Sequence, residues 1–225
     1  MFFNLFNRTK PLDYPEYWKN YIQKFKNPQP KDTPLNAVRF VVLDTETTGV
    51  NPRKDKILSI GAVTILDYQI SVENSFEYFI ENDNTNESSI HIHGILPKGK
   101  EKKISEEFAF ESFLKYCGND IIIGHHIGFD MAIMNQLAKR YVNDELRNKT
   151  IDTATLSIRL EHRNSYPYQP QDYSLDALTM RYNVQTNDRH TAAGDAYMTA
   201  ILFLKLLSQL EKKGIDTLGK LMKDR

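Results

Sequence analysis

The spacing of hydrophobic and polar positions predicts two unlike parts of the chain, residues 1–36 and residues 37–225. In the first part, apolar side chains recur at the three- and four-residue spacing of one helix face. They are Tyr14, Trp18, Tyr21, Ile22 and Phe25. Asp13, Pro15 and Glu16 come in an order typical of a helix start, with Asp13 as the cap. A proline-rich linker over residues 27–34 completes this N-terminal extension.

The aromatic stripe of this extension has two interpretations. An amphipathic helix most often packs its apolar face onto the rest of the same chain, and the sequence favours this use. The alternative is a docking helix for a partner such as a replication or repair protein. The pattern alone leaves both open.

Residues 37–225 alternate short apolar runs with helical patterns, which predicts an α/β domain. The continuous apolar run at 40–43 is typical of a central strand that is covered on both faces. Strands predicted at 57–67 and 75–80 follow with short connections, which indicates an antiparallel meander. Two further short strands are predicted at 121–123 and 149–152. The predicted helices cover residues 105–117, 130–142, 153–161, 174–183 and 191–212, so the domain is a mixed sheet with helices on its faces.

Composition excludes some functions. Lys+Arg and Asp+Glu both total 29, which argues against a protein that coats long nucleic acids by neutralising phosphates. The single cysteine, Cys117, rules out an intramolecular disulfide and a cysteine-based zinc site. No apolar run approaches the length of a membrane span. We therefore expect a cytoplasmic protein without membrane partners.

Acidic residues stand where a buried core would prefer carbon. Asp44 and Glu46 follow the most apolar strand, and because strand side chains alternate they point to the same face. Asp130 opens a predicted helix on its apolar stripe. Asp195 lies within the apolar stripe of the last long helix, five residues after His190. A carboxylate at such a position is rarely left without a partner, so these groups are candidate ligands for a cation.

Together these segments resemble the three motifs of the DnaQ-like exonuclease superfamily, in its histidine branch (DEDDh). Asp44 and Glu46 match the first motif, Asp130 the second, and His190 with Asp195 the third. Lesser features that agree are residues 60–63, 92–95, 151–153 and 174–178. The resemblance spans about residues 38–222. In detail, the motifs are similar to those of proofreading epsilon-type subunits of bacterial DNA polymerase III. It implies a ribonuclease H-like fold with a five-stranded mixed sheet, three antiparallel strands followed by two parallel ones.

The resemblance also implies a mechanism: 3′→5′ removal of nucleoside 5′-monophosphates from a nucleic-acid 3′ end. Two Mg²⁺ or Mn²⁺ ions, which prefer oxygen ligands, would be held by Asp44, Glu46, Asp130 and Asp195. Asp44 would bridge both ions, and Asp130 would assist through a water molecule. His190 would act as general base, since imidazole titrates near neutral pH.

By the same resemblance, the terminal nucleotide is expected against the backbone near Thr45 and Thr47, with His93 and Phe129 lining the pocket for its base and sugar. An aromatic face can stack on any base, so sequence preference should be slight. Among the basic residues near the motifs, Arg189 is the one expected to meet a phosphate.

Three alternatives remain at this stage. A zinc site could use His91 and His93 with His125 and His126, although structural zinc sites usually recruit cysteine. A nuclease-like fold could serve only as a binding module, although all five motif positions are intact. An exoribonuclease would share the chemistry and act on RNA ends, since discrimination at the 2′-hydroxyl cannot be predicted from sequence. DNA is favoured by the epsilon-like motifs.

Overall fold

The computed structural model describes residues 13–82, 102–161, 169–186 and 189–223. Its core is a six-stranded mixed sheet. The strands are β1 (Phe40–Thr47), β2 (Ile57–Leu66), β3 (Gln69–Ile80), β4 (Lys103–Ile104), β5 (Ile121–Gly124) and β6 (Thr150–Asp152). The helices are α1 (Glu16–Lys24), α2 (Glu106–Cys117), α3 (Gly128–Val142), α4 (Thr153–Glu161), α5 (Leu175–Arg181), α6 (Ala192–Lys212) and α7 (Leu218–Leu221). Two 3₁₀ turns lie at Leu35–Ala37 and Pro170–Tyr173.

The strand order is β4-β3-β2-β1-β5-β6. β1, β2 and β3 form the predicted antiparallel meander, and β5 and β6 continue from β1 as parallel strands. The predicted mixed sheet with helices on both faces is therefore confirmed. The strand count was wrong by one, because β4 has only two residues, pairs in parallel with the end of β3 and is too short to show an apolar pattern.

Two local predictions were also wrong. Asp13 does not cap α1, because Pro15 occupies the cap position and Asp13 pairs with Lys19 at 3.3 Å instead. β3 begins at Gln69 and not near residue 75. Its first half is mostly exposed and polar, so no hydrophobic alternation marks it. It is held there by its ladder to β2.

The sheet separates two hydrophobic cores because successive β1 side chains point to opposite faces. Phe40 and Val42 pack on one face with α4, α5 and α6. Val41 and Leu43 pack on the other with α1, α2 and α3. β1 is thus covered by helices on both faces, as its continuous apolar run predicted. The residues at its C-terminal end therefore lie between two layers of helices.

The aromatic stripe of α1 belongs to the second core. Trp18 is completely buried and stacks near Phe110 of α2, with ring centroids 6.2 Å apart. Its indole Nε1 donates to Asp144 at 3.2 Å. The Tyr21 hydroxyl donates to Asn148 at 2.6 Å. The aromatic stripe therefore packs within the chain. The division of the chain into two domains at residue 36 stays a prediction.

Helix length and polarity bear on membrane insertion. Among the helices in the described ranges, none is both long enough and apolar enough to cross a lipid bilayer.

Candidate active site

The end of β1 carries the first two carboxylates. The strand runs from Phe40 to Thr47, and its burial changes from fully buried to half-buried at Asp44 and Glu46. Strand alternation places both carboxylates on the face that packs against α6, and Thr45 on the opposite face. Beyond Thr47 the chain turns sharply, and the Thr47 hydroxyl donates to the carbonyl of Gly49 at 2.7 Å.

The third carboxylate, Asp195, comes from the first turn of α6. Thr191 caps this helix by accepting a hydrogen bond from the Gly194 amide at 3.1 Å. The start of the helix lies directly on β2, where a Cβ added to Gly61 would stand 2.2–2.4 Å from backbone atoms of Ala192 and Ala193. Only glycine fits such an approach. The small residues at the start of α6 and Gly61 therefore bring Asp195 down to the sheet.

The three side chains meet in one cluster. Asp44, Glu46 and Asp195 each offer a carboxylate oxygen, and these oxygens lie within 4.8 Å of one another. Asp195 is 7% exposed, and its Oδ1 has no hydrogen-bond partner among the described residues. Three converging carboxylates with one unsatisfied buried oxygen suit a hard divalent cation. The residues present therefore fit a metal ion.

Asp130 reaches the same region from the other side of the sheet. It is buried in the first turn of α3, and its Oδ1 accepts a hydrogen bond of 2.7 Å from the Thr45 hydroxyl. The Thr45 side chain thus fixes Asp130 against β1, whereas the resemblance placed the Thr45 backbone near the terminal nucleotide. Asp130 is not among the three residues whose oxygens lie within 4.8 Å, but its charge acts on Asp44.

Burial and neighbouring negative charges raise the pKa values of Asp44, Glu46 and Asp130. Burial, with the charges of Asp130, Asp195 and Glu46, raises the pKa of Asp44 well above its ordinary value. Burial and the charges of Asp195 and Asp130 raise the pKa of Glu46 to about 7. Burial raises the pKa of Asp130 to about 7, although the Thr45 hydrogen bond opposes that shift. A divalent cation would relieve this repulsion.

Arg189 is the cation that the chain itself brings to the cluster. Its Nη1 donates to Asp195 Oδ2 at 2.5 Å, and its Nε donates to Asp176 Oδ1 at 2.8 Å. Asp176 lies in the first turn of α5. Both sides of the guanidinium are engaged by carboxylates, so these contacts do not support the sequence-based prediction that Arg189 meets a phosphate.

Two of the remaining candidates, His190 and Phe129, are close in sequence to carboxylates of the site. His190 is exposed, has a left-handed backbone (φ 64°) and stands two residues before α6. Phe129 is half-buried beside Asp130 in the first turn of α3. His93 lies outside the described residues, as does His91. The structure therefore gives positions for Thr45, Thr47 and Phe129 but none for His93.

The histidine pair on the β5–α3 loop has local partners. His125 Nδ1 lies 2.9 Å from the Thr153 hydroxyl, and burial lowers the pKa of His125 to about 4. The His126 ring lies edge-on at 4.4 Å. Within the described ranges, neither belongs to a group of side chains placed to share a metal ion. A zinc site at this pair has no support there.

Two contributors to the site were not singled out as site residues by the sequence. Gly61 was part of the motif-like residues 60–63, but its role as the contact for α6 depends on the tertiary fold. Asp152 accepts hydrogen bonds from the Ile127 amide at 3.1 Å and the Ala154 amide at 2.8 Å. It thereby ties the loop before α3 to the start of α4. An Asp at the end of a strand and directly before a helix was the signal available for it.

Comparison with known proteins agrees with this geometry. The RNase_T family model, described as exonuclease, matches residues 41–203. The chain is 32% identical over 190 residues to the PolC-type DNA polymerase III of Thermotoga petrophila, covering 84% of this chain and 13% of that protein. It is 32% identical over 179 residues to the DNA polymerase III subunit epsilon of Buchnera aphidicola, covering 76% of this chain and 73% of that subunit. The chain thus spans about one eighth of the length of the PolC-type relative.

Solved structures show the same fold. Exonuclease I of E. coli in complex with a dT13 oligonucleotide matches with a TM-score of 0.62 at 16% identity, over 79% of this chain and 42% of that chain. Exonuclease X in complex with 5′-overhanging duplex DNA matches with a TM-score of 0.57 at 23% identity, over 81% and 97%. The family model extends from β1 into α6 and includes Asp44, Glu46 and Asp195. The chain therefore belongs to the DnaQ-like exonuclease family.

Proposed function

We propose that this protein is a metal-dependent 3′→5′ exonuclease that removes nucleoside 5′-monophosphates from DNA 3′ ends. The observation that carries the proposal is the cluster of Asp44, Glu46 and Asp195, whose oxygens lie within 4.8 Å of one another although Asp195 follows the other two by 149 positions or more. Membership of an exonuclease family supports the reaction class. Relatives named as DNA polymerase III proteins support DNA as the polymer.

The proposed cofactor is a pair of Mg²⁺ or Mn²⁺ ions. Asp44, Glu46 and Asp195 would hold them, with Asp130 assisting from α3. All four donors are carboxylates, which prefer hard cations. When bound, such ions supply Lewis acidity at the scissile phosphate and at the leaving 3′ oxygen. The raised pKa values of Asp44 and Glu46 fit this assignment, because crowded carboxylates gain from a divalent cation.

The side chains around the cluster have proposed roles in the same reaction. His190 accepts the proton of the attacking water as general base, a role that an exposed imidazole can fill. Phe129 packs against the terminal base or sugar, together with His93, and the backbone at Thr45 and Thr47 contacts the nucleotide. A partner such as a replication or repair protein remains a prediction for the N-terminal extension. The buried stripe of α1 leaves only its other surfaces for such a contact.

The test uses matched DNA and RNA single strands labelled at the 5′ end, incubated with Mg²⁺, Mn²⁺ or EDTA. We expect the DNA to shorten in single-nucleotide steps from the unlabelled 3′ end in either metal and to stay intact in EDTA. Asp195→Asn should be inactive under all conditions. Faster shortening of RNA would identify an exoribonuclease. Metal-independent binding with no shortening would show a binding module and contradict the proposal.

A further inference from the structure

The two oxygens of Asp195 have different environments. Oδ2 accepts a hydrogen bond of 2.5 Å from Arg189, while the buried Oδ1 has no hydrogen-bond partner in the described part of the chain. The Asp195 side chain is 10% exposed and that of Arg189 is 19% exposed. A hydrogen bond between oppositely charged groups in such a setting is strong and directional. It fixes the rotation of the carboxylate and thereby the direction of Oδ1.

Arg189 is itself held from outside the cluster. Its Nε and Nη2 both lie 2.8 Å from Oδ1 of Asp176, at the first turn of α5. A guanidinium is planar and carries its donors in a rigid fork, so contacts with two carboxylates on its two sides define its orientation. The three residues form a chain from the exposed start of α5, through Arg189, to a carboxylate of the proposed metal site.

We propose that Arg189 is a positioning residue for the metal site: anchored by Asp176, it holds Oδ2 of Asp195 so that Oδ1 is presented to the divalent ion. This inference rests on the proposed function, since it requires that Asp195 binds a metal. It adds two residues that contact neither substrate nor metal. Hydrogen-bond partners of ligating carboxylates commonly contribute ten- to a hundredfold to metal affinity.

The experiment measures Mn²⁺ affinity of the full chain by isothermal titration calorimetry. Arg189→Gln should weaken Mn²⁺ binding by at least about tenfold, because the carboxylate then loses its fixed rotation. Arg189→Lys should not restore it, since one ammonium cannot bridge Asp176 and Asp195 as the fork does. This variant keeps the charge, so it separates orientation from electrostatics. Arg181→Gln is the matched control, because Arg181 pairs with Glu161 instead.

Asp176→Asn tests the positioning role in a variant that should fold normally, because the Asp176 side chain is 68% exposed. This variant should weaken Mn²⁺ binding by about threefold, which is less than the effect expected for Arg189→Gln, because Arg189 keeps its contact with Asp195. In the double variant with Arg189→Gln it should add nothing, since Asp176 acts only through Arg189. Excess Mn²⁺ should restore turnover in each of these variants, because all the carboxylate ligands remain.

The outcomes separate this inference from the proposed function. If wild type binds no Mn²⁺, or Asp195→Asn binds it as tightly as wild type, the proposed metal site is wrong and this inference with it. If wild type binds and Asp195→Asn does not, but Arg189→Gln binds as tightly as wild type or more tightly, only the positioning role is overturned. An Asp176→Asn effect that persists fully in the Arg189→Gln background would likewise contradict it.

Discussion

Gly61 on β2 lies directly opposite Asp44 on β1 in the antiparallel ladder. Directly opposed residues of such a pair project to the same face, so the missing side chain of Gly61 leaves room beside the Asp44 carboxylate. The start of α6 fills that room, and it brings Asp195 with it. One glycine thus joins a strand carboxylate to a helix carboxylate that is 151 positions later in the sequence.

Gly61→Ala should therefore damage the site without touching a ligand. Its Cβ would stand 2.2–2.4 Å from the backbone of Ala192 and Ala193, so α6 must shift away from the sheet. We expect a loss of about 1–3 kcal/mol of stability from overpacking and a tenfold or greater loss of Mn²⁺ affinity, measured by urea unfolding and calorimetry. Gly128→Ala is the control, because its Cβ would meet nothing within 4 Å. Unchanged Mn²⁺ affinity in Gly61→Ala would refute this role.

Thr45→Val should test the link between β1 and α3. The substitution keeps the shape of the side chain but removes the 2.7 Å hydrogen bond to buried Asp130. A buried carboxylate that loses a donor costs about 1–3 kcal/mol, and the pKa of Asp130 should rise further because that bond lowers it. We expect lower stability in urea and an acidic limb of the activity profile displaced to higher pH. Thr45→Ser, which keeps the hydroxyl, should behave as wild type.

His190 should matter for turnover and not for metal binding. His190→Asn tolerates the left-handed backbone at this position and removes the proposed base. We expect single-turnover cleavage to slow by about 10²–10⁴-fold. The affinity for Mn²⁺ should stay within about a factor of two of wild type, because His190 is not a proposed metal ligand. His126→Asn, at the other exposed left-handed histidine (φ 54°), is the control and should keep normal rates. Equal rates in both variants would exclude His190 as the base.

The metal-free protein should lose stability as pH rises through the acidic range. The pKa of Glu46 is raised from its ordinary value of 4.5 to about 7. The folded state therefore keeps a proton that the unfolded state releases, so folding is penalised as pH climbs from about 4.5 to about 7. The shift corresponds to a loss on the order of 3 kcal/mol.

The measurement for Glu46 is urea unfolding in EDTA across this pH window. Glu46→Gln should make the fall in stability less steep, since an amide does not titrate and carries no charge to repel Asp44 and Asp195. A part of the slope should remain, because the pKa values of Asp44 and Asp130 are raised as well. Adding Mn²⁺ to wild type should restore stability at the upper end of the window by binding the folded state. A wild-type stability that rises from pH 4.5 to 7 with a slope equal to that of Glu46→Gln would contradict the prediction.

Local patterns in the sequence determined most of the fold. The apolar run of β1, the meander after it and the long apolar stripe of α6 were each predicted, because hydrophobic periodicity reports how a segment is buried. The segments that escaped were those without such a pattern. β4 has two residues, and the first half of β3 is exposed, so pairing with neighbours alone makes them strands.

The sequence by itself also identified the carboxylates that are unusual for their position. Asp44, Glu46, Asp130 and Asp195 interrupt apolar patterns that predict burial, and burial of a carboxylate without a partner is unfavourable. Their meeting was decided only by tertiary structure. Gly61 sets the depth of α6, Thr45 turns Asp130 towards β1, and Arg189 reaches from Asp176 to Asp195. These contacts join residues far apart along the chain or set the rotation of a side chain. Periodicity along one segment carries no information about such distances and rotations, since they depend on how separate layers pack.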